Sequence, residues 1–473
     1  MTKLLKKYKT EVLLLTFMAI YTVYFTTASF LRYENYYTGR FDLGNMAQTV
    51  WNTSHGEIFL LTNPNGTEDI SRLAFHADFI LILLAPLYLI WSDPRMLLLI
   101  QTLILAFGAV FVYLIAKHLL KDKTISLIFA LSYLLYPGVE YTNLYDFHAV
   151  AFATTFLLGA IYFLLKKNYA PMFLFLFFAG LTKENVWAID ALFGIYILVF
   201  HKKYKLGAFM AVAGVFLFYY LVWKAIPHAL GNQHFALTYY SDFGATPSGI
   251  IRNMFLSPLK TLKTAFGPDQ LHYLRDLFVP LGYASFLAPL FLIFTIPSFA
   301  INLLSGNSQL HQIYYQYSSS ITPFIFFSSV FGLKIVNKRI PQISLKILAC
   351  LILIFTFVSA YSYGPLPFSK QPNINWYKKP LKNKNIINNY LRDMPTNATI
   401  ASTNNLGSHL SQRDRIYTIP LGIDKADYVV FLIDNLEIFN LKQIKTALDR
   451  TQHNPKYKII FRNGNFIVYK KIR

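Results

Sequence analysis

Phe41-Asp42-Leu43-Gly44 places a lone carboxylate just ahead of an apolar periodic run. As the residue preceding a helix, Asp42 would accept hydrogen bonds from the first free backbone amides. Facing a cavity, it would take a proton from an attacking hydroxyl. The two roles do not exclude each other. Phe75-His76-Ala77-Asp78 sets an imidazole and a carboxylate two residues apart, suited to capping the next apolar segment, orienting Asp42 or binding a ligand. No second strong ligand set accompanies them, so no cofactor is expected, and a divalent metal is conceivable without being indicated. Asn143, Asp146 and His148 crowd one short polar stretch between two apolar runs. They fit either a helix cap or a polar substrate site. Thr182-Lys183-Glu184-Asn185 interrupts two further apolar runs, where ionisable groups are costly and usually functional. Lys183 and Glu184 pair with each other there, or Lys183 serves as a phosphate ligand. Residues 250–266 mix apolar side chains with Arg252, Lys260 and Lys263, like a basic helix on a lipid surface or a lid over a lipid phosphate. His311 adds another imidazole near the same boundary.

The elements that position these residues are membrane spans. The 473-residue chain is 55% hydrophobic and 14% charged, against about 25% charged in soluble domains. A soluble enzyme is excluded. The 43 Phe and 33 Tyr suit a protein facing lipid and its interface. The net charge of +21 reads as basic cytoplasmic loops against anionic lipid rather than as nucleic-acid binding. A single cysteine, Cys350, excludes a disulfide.

Basic clusters at 3–9, 117–123, 166–167, 201–205 and 334–339 mark the cytoplasmic side. Apolar runs at 12–31, 96–116, 125–139, 150–165, 172–181, 186–200, 206–226, 322–335 and 343–360 read as spans. Parity allows one crossing between residue 31 and Lys117, so the short Pro86-containing run 79–91 is expected to lie on the outer face. The same parity splits 271–304 into two crossings meeting near Ala288-Pro289. The expectation is a helix bundle of about eleven spans, N-terminus inside. Its first outer loop is 32–95, and a second long outer loop covers 227–275. Leu43, Met46, Ala47, Val50 and Trp51 share one face of a predicted interfacial helix in the first loop.

The acids and histidines gather on the outer side of this topology, which places any chemistry there. Prolines 365, 367 and 372 open a linker, and 366–473 reads as a small extracytoplasmic α/β domain. Strands are predicted at 399–401 and 428–433, and a helix at 436–449. A hairpin over 457–461 and 466–470 turns at Asn463-Gly464.

The run Phe41-Asp42-Leu43-Gly44, Trp51-Asn52-Thr53, His55-Gly56, Phe75-His76 and Leu84-Ala85-Pro86-Leu87-Tyr88 resembles a family of bacterial and archaeal predicted membrane proteins, domain of unknown function 2079. Tyr136-Pro137, Asp146-Phe147-His148, Lys183-Glu184, Asn302-Leu303-Leu304-Ser305, Ala401-Ser402, Arg415-Ile416-Tyr417 and Asp427-Tyr428 extend the resemblance over nearly the whole chain. That family in turn resembles the GT-C glycosyltransferases, such as protein O-mannosyltransferases and aminoarabinose transferases. The resemblance implies a multispan transferase with a catalytic acid in its first outer loop and a polyprenyl-phosphate sugar donor. Asp42 matches that acid by position, although Leu43-Gly44 stands where the familiar motif carries a second acid. On this reading Asp42 deprotonates an acceptor hydroxyl, Lys183 and Arg252 face the leaving phosphate, and His76, Asp78, Asn143, Asp146, His148, Glu184 and His311 surround the substrates. The acceptor is an unknown glycan, lipid or protein, and membrane lipid is the other partner. A transporter or flippase for a lipid or glycan is the alternative. It would be expected to place ionisable groups at mid-membrane, often in repeats, and neither pattern is present.

Overall fold

The structure is a computed structural model that describes residues 7–433 and 441–472. Residues 3–6 of the first basic cluster and 436–440 of the predicted C-terminal helix lie outside the described residues.

The bundle begins with α1 (Lys9–Glu34), followed by the loop helices α2 (Asn45–Ser54) and α3 (Ile80–Tyr88). α4 (Arg95–Leu120) and α5 (Lys123–Leu134) form a hairpin, closed by Asp122, whose Oδ1 accepts from the Thr124 and Ile125 amides at 2.7 and 3.0 Å. A short α6 (Pro137–Leu144) leads into α7 (Ala151–Leu165), α8 (Tyr169–Gly180), α9 (Val186–Phe200) and α10 (Tyr204–Leu230). Gly194, Gly207 and Gly214 let α9 and α10 pack backbone to backbone: a Cβ on Gly207 would meet Leu198 N at 2.6 Å. α11 (Pro247–Leu256), α12 (Pro258–Ala265) and α13 (Pro268–Phe278) follow, then α14 (Pro289–Leu303), α15 (Thr322–Arg339) and α16 (Leu345–Tyr363). By length and composition α1, α4, α10 and α16 are long and apolar enough to cross a membrane. Shorter apolar helices, α5, α7, α8, α9 and α14, fill the bundle between them.

The predicted break within 271–304 is present but broader than one dipeptide. Tight 3-10 turns run from Val279 to Leu287, with Gly282 and Tyr283 both at φ 57°. The carbonyls this frees are met by neighbours: the Ser328 hydroxyl lies 2.7 Å from both Ser285 O and Ala288 O, and Thr356 Oγ1 donates to Pro280 O at 2.6 Å. Irregular backbone is tolerated inside an apolar bundle only with such partners.

Beyond α16 a five-stranded sheet forms the C-terminal domain: β3 (Ile400–Ser402), β4 (Ile416–Thr418), β5 (Tyr428–Leu432), β6 (Tyr457–Asn463) and β7 (Phe466–Lys471), in the order β4-β3-β5-β7-β6. β3 pairs parallel with β4 and β5, while β7 is antiparallel to both β5 and β6. A helix, Leu441–Gln452, packs on one face through Ile444 and Ala447. The other face buries Ile387, Leu391 and, from the end of α1, Tyr36. The short hairpin β1 (Leu60–Thr62) and β2 (Asp69–Ser71) lies in the first loop.

A candidate site beneath the C-terminal domain

The backbone after α1 winds into a wide π-turn over Arg40–Gly44, with Gly39 ahead of it in extended conformation. Asp42 lies inside that turn, so the capping expectation is corrected: it receives none of the amides at the start of α2. Such turns are over-represented at functional sites because they re-aim a side chain. Two groups hold this one in place. Arg40, 1% exposed, donates to Asn45 Oδ1 at 2.5 Å, Gln48 Oε1 at 2.6 Å and Thr62 O at 2.9 Å. From the C-terminal domain, Asn404 Oδ1 accepts from the Arg40 amide at 2.8 Å and the Phe41 amide at 3.4 Å. Gly407 makes this approach possible, because a Cβ there would collide with Arg40.

The C-terminal domain thus covers the first loop. Gln48 Nε2 donates to Arg413 O and Asp414 O, both at 3.0 Å. Arg415 pairs with Asp69 at 2.8 Å. α2 is therefore buried on its polar face as well as its apolar one. This corrects the expectation of a helix lying free on the interface: Asn45, Gln48, Thr49 and Asn52 are all buried.

Asp42, 34% exposed at its side chain, faces His148 and Tyr145. Its Oδ1 lies 3.2 Å from His148 Nε2, and its Oδ2 accepts from the Tyr145 hydroxyl at 3.4 Å. Burial opposes ionisation of Asp42, but the bond and charge of His148, with Tyr145 and Arg72, outweigh it and hold the carboxyl below its usual range. Gln101 fixes the loop that presents His148, accepting from the His148 amide at 2.8 Å and donating to Asp146 O at 2.8 Å. Asp146 does not cap the following helix. It accepts from the Gly39 amide at 3.4 Å and pairs with Arg32 at 3.6 Å. Burial pushes its carboxyl up to about 7 against the pull of Arg32, and the Asp42 charge adds to the rise. Two neighbouring acids are thus driven apart, one toward the carboxylate and one toward the acid, the pattern that separates a base from a donor.

A cavity of about 530 Å³ is lined by His76, Lys183, Glu184, His234 and Tyr317 and by apolar side chains of α10, α11 and α14, and neither Asp42 nor Asp146 is among its lining residues. Glu184 accepts from His76 Nδ1 at 3.0 Å and from the Ala77 amide at 3.1 Å. Burial opposes its charge, yet His76 and Lys183 hold it well below the usual carboxylate range. Lys183 forms no ion pair among the described residues; its ammonium sits 5.4 Å from the Tyr317 ring centre. Burial lowers the Lys183 ammonium against the opposing pull of Glu184 and Asp78. Tyr317 also feels the Asp42 charge, which links the two halves of the site.

Ligand atoms of His76, Glu184 and His234 lie within 4.8 Å of one another. Two imidazoles and a carboxylate make a chemically suitable donor set for a divalent metal. The His234 ring is already engaged, however: its Nδ1 accepts from the Ala236 amide at 3.1 Å, so in the neutral ring Nε2 carries the proton. Burial holds that ring neutral, pushing it down to about 4. As arranged, His76 and the Ala77 amide anchor Glu184, and His234 stands beside them with its Nδ1 lone pair already taken.

The remaining predicted residues lie elsewhere. Asp78 does not share a task with His76 or cap α3. It is locked to Arg72 by bonds of 2.7–3.1 Å, with both side chains buried. Asn143 is buried between Thr102, from which its Oδ1 accepts at 2.9 Å, and Tyr21, to which it donates at 3.2 Å. Arg252 points outward from α11, and His311 is buried beside the cavity without lining it. Arg32, Arg40, Tyr317 and Asn404 carry parts of the site that the sequence reading did not assign.

The chain matches a family model over residues 32–470, described as predicted membrane protein (DUF2079), and it belongs to that family. Its fold is an ArnT-like bundle of helices with a small C-terminal sheet. It is similar to the crystal structure of ArnT from Cupriavidus metallidurans bound to undecaprenyl phosphate, with a TM-score of 0.56 at 10% identity, covering 97% of this chain and 98% of that one. It is similar also to ArnT of the same organism in the apo state, with a TM-score of 0.58 at 9% identity and 97% of both chains covered. No curated protein matches the sequence.

Proposed function

We propose that this protein is an inverting membrane glycosyltransferase that moves a sugar from a polyprenyl-phosphate donor to an acceptor hydroxyl on the extracytoplasmic face. The observation that carries the reading is Asp42. It is a half-exposed carboxylate, hydrogen-bonded so as to stay ionised, and Tyr317, which feels its charge, lines a cavity that combines apolar walls with the half-buried Lys183. The ArnT fold, seen elsewhere with undecaprenyl phosphate, supports the lipid-phosphate donor.

In the reaction the acceptor hydroxyl gives its proton to Asp42, and its oxygen bonds to the anomeric carbon from the face opposite the phosphate. The bond from that carbon to the phosphate oxygen breaks, and the lipid phosphate departs with the electron pair. Lys183 and His76 stabilise the charge that develops on it. His148 and Tyr145 keep Asp42 oriented, and Asp146, held toward its protonated form, accepts from the Gly39 amide ahead of the turn. The apolar walls from α10 and α14 accept the first isoprene units. Basic clusters at the opposite ends of the spans support an outer-face location for the site, under the C-terminal domain.

Purified protein in liposomes, supplied with polyprenyl-phosphate sugars and a mixed acceptor pool, tests the assignment by release of polyprenyl phosphate. Lys183→Ala is expected to weaken polyprenyl-phosphate binding about tenfold or more, with the fold intact. Unchanged lipid affinity would assign Lys183 to structure and remove the phosphate site.

A further inference from the structure

A second cavity, of about 880 Å³, lies between α1, α5 and α16 and shares no lining residue with the first. Its walls are Phe, Leu, Ile and Tyr side chains with Pro367 and Phe368 of the linker, and Glu140 is the one acid or base among them. Glu140 is fully buried, and neither carboxyl oxygen has a hydrogen-bond partner among the described residues. The Tyr24 hydroxyl on the same wall is likewise unpartnered. Leaving a buried carboxyl unmatched costs several kcal/mol, so a group stranded in this way calls for a partner from outside the chain or for a functional role. The rim is exposed and apolar, with Ile20 at 58%, Ile354 at 57% and Phe357 at 53%, so the cavity opens sideways toward the hydrocarbon that these side chains face.

From these features we infer that the cavity binds a second lipid, an alkyl or isoprenoid chain ending in a hydroxyl, which pairs with Glu140 and Tyr24. A phosphate end is excluded because no cation lines the cavity. An ammonium end would have to shed its water against a single carboxylate in an apolar setting, a poor exchange. A hydroxyl both donates and accepts, and so satisfies the carboxyl and the phenol at once. The cavity volume suits a chain rather than a single small polar molecule. Glu140 and Asn143 lie one turn apart on α6, and Asn143 holds Tyr21 of the cavity wall. The occupant therefore rests on the far side of the helix that leads into Tyr145, Asp146 and His148. This site does not depend on the glycosyltransferase reading.

Full-length protein in nanodiscs, photolabelled with a diazirine-bearing hexadecanol and mapped by peptide mass spectrometry, tests the inference. Labelling is expected at residues 17–25, 131–140 and 353–368, and unlabelled hexadecanol should displace the probe. Glu140→Leu should weaken capture about tenfold and Glu140→Gln by less than about threefold, since an amide still donates and accepts. Leu134→Trp should block the cavity without touching its polar end, which guards against a Glu140 variant that fails to fold. Equal capture of the diazirine alkane lacking the hydroxyl would overturn the hydroxyl assignment. Labelling unchanged in both Glu140→Leu and Leu134→Trp would overturn the site itself.

Discussion

Replacing Asp146 by Asn should make the protein more stable at alkaline pH and leave it little changed in acid. Folding raises this carboxyl from 3.8 to about 7, mainly by burial. Between those values the folded state keeps a proton that the unfolded chain has released, so its contribution falls as pH rises through the window and levels off above 7. The rise corresponds to about 4 kcal/mol at pH 8, an upper bound because Arg32 moves with the pair. His234 and His409, both pushed down to about 4 by burial, slope the opposite way below pH 6.5. The quantity to read is therefore the difference between variant and wild type, not the wild-type curve. Chemical unfolding in detergent at pH 5 and pH 8 should show the Asp146→Asn advantage growing by about 2–3 kcal/mol between them. A difference that stays flat to within about 1 kcal/mol, or that favours the variant more at pH 5, would refute the reasoning about this acid pair.

Asp78→Ala should cost about 3–5 kcal/mol by stranding the buried Arg72 guanidinium, and Arg72→Met with Asp78→Leu should regain most of it. A double-mutant cycle of unfolding free energies checks this. Asn404→Ala removes the acceptor shared by the Arg40 and Phe41 amides and should lower kcat about tenfold with KM unchanged. Asn404→Asp keeps the accepting oxygen and should recover most of the loss, a split that steady-state kinetics resolves.

Asp42 stood out in the first loop because an acid after a span has few ordinary uses. The Lys183-Glu184 turn was legible because ionisable groups between two apolar runs are expensive. The Asn463-Gly464 hairpin followed from turn chemistry alone, and β6 and β7 flank it as expected. What was not legible depends on contacts between residues far apart in the chain. Nothing local to Asp42 signals a π-turn, because the backbone amides of that turn are held by Asn404, more than 360 positions away. Reading α2 as a free interfacial helix failed for the same cause: Gln48 on its polar face points not to water but to the Arg413 and Asp414 carbonyls. His76 and Asp78 looked like a pair by spacing, yet the chain bends between them. One side chain turns to Glu184 and the other to Arg72.

Transfer by Asp42→Asn, measured in liposomes with a polyprenyl-phosphate sugar at saturating acceptor, tests the central claim most directly. Asn fills the same space but cannot take the proton, and lost base catalysis costs about 10²–10⁴-fold. The account predicts a fall in turnover of that size, with donor affinity within about twofold of wild type because Asp42 makes no bond to the phosphate ligands. Near-normal transfer by Asp42→Asn would contradict it.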